Sequence, residues 1–87
     1  MKQITTSSGF SVELDESRLN DMELFDALCA LSGGDKMSLP VVVGKILGDS
    51  KKALYDHLRA ENGTVPIQAV EAEVLEIMQA LKGGKNS

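Results

Sequence analysis

Apolar and polar residues alternate at the start of this chain and then switch to helical spacing. Phe10, Val12 and Leu14 alternate with Ser11 and Glu13, the period of a half-buried strand. Ile4, between polar neighbours, supplies a partner strand. Ser7-Ser8-Gly9 supplies the turn, with Gly9 free to take positive φ. Residues 2–14 are therefore predicted to form a β-hairpin. A lone two-stranded hairpin is marginal in water, so it must lie on helices or pair with another chain. Its edges are short and weakly charged, which leaves strand addition open.

Four helices follow in the pattern. The first is predicted over about 21–31, with Asn20 as N-cap and Glu23 reaching back as in a capping box. Met22, Phe25, Leu28 and Cys29 share its apolar face, with Leu24 and Leu31 beside it. Gly33-Gly34 ends it. The second, about 40–47, is capped by Ser38 or Leu39 and carries Pro40 in its first turn. Val41, Val42, Val43, Ile46 and Leu47 make it apolar on nearly all sides, as in a central buried helix. The β-branched run is also compatible with a strand, but the preceding proline and the following Gly44-Lys45 favour helix. The third runs over about 50–61, capped by Asp49 or Ser50, with Ala53, Leu54, Tyr55 and Leu58 on its apolar side and Asn62-Gly63 at its end. Thr64 caps the fourth, which has Pro66 in its first turn and continues to about Lys82. Its stripe of Ile67, Val70, Val74, Ile77, Met78 and Leu81 is the clearest amphipathic signal in the chain. The predicted fold class is α+β, mainly α: an N-terminal β-hairpin followed by about four short helices. It forms one small domain over 1–87, with the hairpin at 2–14, a helical part at 20–82 and a frayed tail at 83–87.

Composition narrows the class. The 87 residues suit one domain with a thin stability margin, which partner contact or self-association would widen. The net charge of −4 argues against unassisted binding to nucleic acid or to anionic membranes. The N-terminus lacks the apolar core of a signal peptide, and no apolar run approaches the ~20 residues that span a bilayer, so a cytoplasmic protein is expected. Cys29, the lone cysteine, reads as a small buried hydrophobe.

Candidate chemistry is sparse. His57 has Asp56 and Glu61 in reach, but no nucleophile is placed beside it by motif. Glu71, Glu73 and Glu76 read as a solvated helix face rather than a metal or acid–base site, and Glu13, Asp15 and Glu16 read likewise. Asn62-Gly63-Thr64-Val65 fails the register of an EF-hand, which would need side-chain ligands at Leu58, Ala60 and Ala69. Gly33-Gly34-Asp35-Lys36 lacks the spacing of a phosphate loop. A helix-turn-helix over 50–82 would present a recognition helix without Lys or Arg from Thr64 to Ala80, and its carboxylates would repel phosphates. No enzymatic activity, metal or cofactor is expected.

The order of elements carries a resemblance. The Ser-Gly-Phe turn is followed by Leu19-Asn20-Asp21-Met22-Glu23-Leu24 and then by a short Leu-Pro-Val helix ending Ile46-Leu47-Gly48. Lys51-Lys52-Ala53-Leu54-Tyr55-Asp56-His57-Leu58-Arg59, the turn Asn62-Gly63-Thr64-Val65 and a Glu-rich helix complete it. Over about residues 4–82 the chain resembles the tail assembly chaperones of long-tailed phages and prophages of Gram-positive bacteria. The resemblance implies a protein that binds the apolar, helical tape-measure protein in the host cytoplasm. Such a protein keeps its client soluble until the tail tube forms and is absent from the finished virion. It implies no catalytic residue and no cofactor. It also implies a longer form made by ribosomal slippage, and Gly84-Lys85-Asn86 is encodable by the slippery run GGA-AAA-AAC.

A chaperone for an apolar helix needs an apolar stripe with a charged rim. Val70, Val74, Ile77, Met78 and Leu81 are the candidate partner-binding residues, some of them doubling as core. Met22, Met37 and Met78 are adaptable surface where exposed. The expected partners are the tape-measure protein, the longer form of the chain and further copies of itself, without nucleic acid or membrane. The alternative is a small cytoplasmic adaptor or regulatory domain that binds another cellular protein.

Overall fold

The computed structural model describes residues 1–83, and the predicted hairpin and four α-helices are present in it. Of the expected tail at 83–87, residues 84–87, including Gly84-Lys85-Asn86, lie outside the described residues. Strands β1 (Lys2–Thr5) and β2 (Ser11–Leu14) pair antiparallel, with Ile4 opposite Val12 and Lys2 opposite Leu14. Side chains alternate across the ribbon, so this register buries Ile4, Val12 and Leu14 on one face. On the other face the hydroxyls of Thr5 and Ser11 meet at 2.9 Å. The turn closes where the Gly9 N–H donates to the Thr6 carbonyl at 3.0 Å, and Gly9 takes a φ of +94° that a side chain would resist.

A 3-10 turn at Glu16–Leu19 leads into α1 (Met22–Ser32). The N-cap of α1 is Asp21, not Asn20. The Asn20 N–H is committed to closing the preceding turn on Ser17, whereas extended Asp21 holds its carboxyl over the amides of Glu23 and Leu24, at 2.9 and 3.4 Å. The side chain of Glu23 reaches Lys45 at 2.8 Å instead of closing a capping box.

The buried face of α1 also differs from the expected one. Leu24 and Ala27 are buried, with Leu28 and Leu31 half-buried beside them, while Met22, Phe25 and Cys29 face outward. Both sets recur at helical spacing, and α2 selects the first. Cys29 is thus exposed rather than a buried hydrophobe.

After a 3-10 turn at Lys36–Ser38, α2 (Leu39–Leu47) forms the centre of the molecule. Its β-branched run is helical, as the flanking Pro40 and Gly44 favour. Val42, Val43, Ile46 and Leu47 are fully buried, and Val41 alone of that run faces outward. Burying each such side chain contributes about 1.5–3 kcal/mol. Gly48 stops α2 at a φ of +54°. Lys45 bonds both Asp21 (3.4 Å) and Glu23, tying the end of α2 to the start of α1.

A 3-10 turn at Gly48–Ser50 joins α2 to α3 (Lys51–Leu58), which ends short of the predicted Glu61. Arg59 turns extended, and its guanidinium bonds the Gly63 carbonyl at 2.9 Å. The Ala60 N–H donates to the Thr64 carbonyl at 2.7 Å, so residues 59–64 form a closed turn instead of another helical turn. Thr64 does not cap α4 (Ile67–Leu81). Its N–H and hydroxyl both donate to the Asn62 side chain, at 3.1 and 2.7 Å, and extended Pro66 takes the cap position. Val70, Val74, Ile77 and Leu81 of α4 pack against α2, α3 and β1. No helix among the described residues is long and apolar enough to cross a membrane.

Candidate interaction surfaces

The acidic face of α4 holds the hairpin. Glu73, only 6% exposed, accepts the Thr6 hydroxyl at 2.8 Å. Glu76 accepts both the backbone N–H and the hydroxyl of Ser7, at 2.7 and 2.9 Å. Glu71 takes the Lys36 ammonium on both oxygens, at 2.9 and 3.0 Å. The expectation of a solvated face is thereby corrected. The hairpin turn lies on this part of α4, and each of the three carboxyls is engaged.

His57 is brought to the same turn from α3. Its Nε2 lies 3.1 Å from the Ser8 hydroxyl and 3.1 Å from the Ser8 carbonyl, and its ring tilts against Phe10 with centroids 5.6 Å apart. A serine beside an imidazole has the outline of a nucleophile and its base. The role of Nε2 follows the tautomer: when protonated it donates to the Ser8 carbonyl, which can only accept, and has no lone pair for the serine proton. Asp56 is no orienter, because Lys52 and then Arg59 bind its carboxyl and hold it below the ordinary carboxylate range. Among the described residues no group of three His, Cys, Asp or Glu is placed to hold a metal ion.

The five candidate partner-binding residues do not form one surface. Val70, Val74, Ile77 and Leu81 are core, and Met78 is half-buried. A different apolar place is open at the surface. A groove of about 410 Å³ opens between the start of α2, the end of α3 and the start of α4, lined by Met37, Leu39, Pro40, Tyr55, Val65 and Ile67. Met37 is 84% and Ile67 59% exposed, an uncommon state for two large apolar side chains lining one groove. Lys36 stands on its edge, and the Lys51 ammonium lies 5.8 Å from the Tyr55 ring centroid.

No protein-family model, curated protein or solved structure matches this chain. The lining of the groove combines buried Leu39 and Val70 with exposed Met37 and Ile67, and Tyr55 joins them; Met37 is the adaptable member of the set. Sequence reasoning singled out Met37 as adaptable surface but assigned Ile67 and Tyr55 to apolar helix faces. Pro40 lines the groove from the first turn of α2, and extended Pro66 precedes Ile67, the first residue of α4, which lines it too.

Proposed function

We propose that this chain is a tail assembly chaperone that works by contact, holding apolar helical segments of a phage tape-measure protein in the groove between Met37 and Ile67. The observation that carries the reading is the exposure of those two side chains in one groove that buried Leu39 and Val70 also line. An amphipathic helix laid there would bury its apolar stripe, and the Lys36 and Lys51 ammonium groups would remain in water at the rim. The identity of the partner rests on the resemblance carried by the order of elements in the sequence. On this reading the protein acts in the cytoplasm of a bacterial host and leaves before the virion is complete.

The test is co-expression with the tape-measure protein from the same genome, followed by affinity capture. The tape-measure chain should stay soluble and co-purify. Ile67→Asp should abolish capture while the chaperone itself stays folded. Equal aggregation of the tape-measure chain with and without this protein would refute the reading.

A further inference from the structure

The outward stripe of α1 is unused by the fold and by the groove. Met22 is 66% and Phe25 58% exposed, and Cys29 follows at the next turn, so the three form a continuous ridge. Leu28, one turn beyond Phe25, lines a smaller cleft of about 150 Å³ with Leu75 of α4, itself 50% exposed. Apolar surface thus continues from α1 onto α4, well beyond the scattered single side chains that are ordinary on a protein surface.

Around this surface acidic groups outnumber basic ones: Lys45 is shared between Asp21 and Glu23, and Lys36 pairs with Glu71 of the cleft. Neither α1 nor α4 contains a Lys or Arg. Glu23 and Asp26 flank the ridge, and Asp26 has no ion-pair partner among the described residues. Apolar centre and acidic border together specify the occupant. We infer that the α1–α4 face docks an amphipathic helix whose apolar stripe is bordered by Lys or Arg. A second copy of this chain fits poorly, because α1 against α1 would bring the unpaired Asp26 towards its like-charged counterpart. An anionic lipid surface is disfavoured for the same reason. The inference does not depend on the groove or on the tape-measure protein.

Two synthetic helical peptides test it: one with a leucine stripe bordered by lysines, the other with the same stripe bordered by glutamates. Fluorescence anisotropy should give affinity for the lysine peptide that falls as salt is raised, and at least about tenfold weaker binding of the glutamate peptide. Phe25→Ser, at an exposed site, should weaken the lysine peptide by more than about tenfold. Asp26→Lys should narrow or reverse the preference between peptides. Saturating lysine peptide should also slow maleimide labelling of Cys29. Equal affinity for both peptides, unchanged binding by Phe25→Ser, or undiminished Cys29 labelling would overturn the inference. So would a dimer in sedimentation that Phe25→Ser dissolves, since a second copy would then cover the face.

Discussion

The Thr6 hydroxyl donates to the Glu73 carboxyl at 2.8 Å, and this bond joins the turn of the hairpin to the middle of α4. The same hydroxyl accepts the Phe10 N–H at 3.3 Å, so one small side chain satisfies a backbone donor and a buried carboxyl. Both Thr6 and Glu73 are almost fully removed from water. Thr6→Val keeps the shape and strands both partners, a loss of about 1–3 kcal/mol. Urea unfolding should report it. Glu73→Gln, whose side-chain oxygen still accepts, should lose less. A Thr6→Val chain as stable as the parent would show that the bond adds nothing.

Two glycines, one within α2 and one at its C-cap, should respond in opposite directions to alanine. Gly44 lies within the helix with open space where a Cβ would stand. Gly44→Ala should stabilise the chain by about 0.5–1 kcal/mol. Gly48 ends the helix at a φ of +54°, and a Cβ there would come within 2.9 Å of the Arg18 guanidinium. Arg18 can swing away, but the backbone cannot relax, so Gly48→Ala should cost about 1–3 kcal/mol. Thermal melts of the two variants beside the parent check both signs.

Asp21 gives the fold an acid-sensitive fastening. Desolvation raises its pKa, but the N–H groups of Glu23 and Leu24 and the Lys45 ammonium outweigh it and hold the carboxyl below its ordinary 3.8. A depressed carboxyl contributes stability that is complete above its unfolded value and is lost as pH falls through its folded value. Asp21→Asn retains an N-cap but not the charge. The parent should therefore be the more stable at neutral pH, and the gap should close as pH drops below about 3.8. Denaturant midpoints across an acid pH series measure the gap.

Ile77 and Ile67 sit on one helix and should behave differently. Ile77 has no exposed surface, so Ile77→Asp buries an unpaired charge and should unfold the domain outright. Ile67→Asp, in the groove lining, should leave the melting temperature nearly unchanged and remove only partner capture. Circular dichroism with the capture assay separates the two. A folded Ile77→Asp chain that fails to bind would move the contact surface back to the stripe.

Much of the fold is legible in the sequence because its signals are local. The alternation of Phe10, Val12 and Leu14 sets the face of the hairpin, and the stripe of Val70, Val74, Ile77 and Leu81 sets the core face of α4. The misreadings occur where a distant residue decides. In α1, Leu24 with Leu31 and Met22 with Phe25 and Cys29 are equally good stripes, and only the position of α2 chooses between them. Glu73 has the pattern of a solvated residue until the hairpin turn brings Thr6 onto it from the other end of the chain. The groove is harder still, because Met37, Tyr55 and Ile67 belong to separate elements and share no period. The end of α3 was hidden for a local reason: Arg59 leaves the helix to bond the Gly63 carbonyl, a capture that helix propensity does not encode.

The clasp between the hairpin and α4 also fixes an order of events during synthesis. The ribosome makes the hairpin first, yet its turn bonds Glu73 and Glu76, which emerge only after the three intervening helices. Until then the buried face of Ile4, Val12 and Leu14 has no α4 to cover it. Closing so distant a contact also slows folding relative to a bundle held by neighbouring helices. The nascent chain thus passes through an interval with an uncovered apolar ribbon, and that interval ends when α4 clears the exit tunnel.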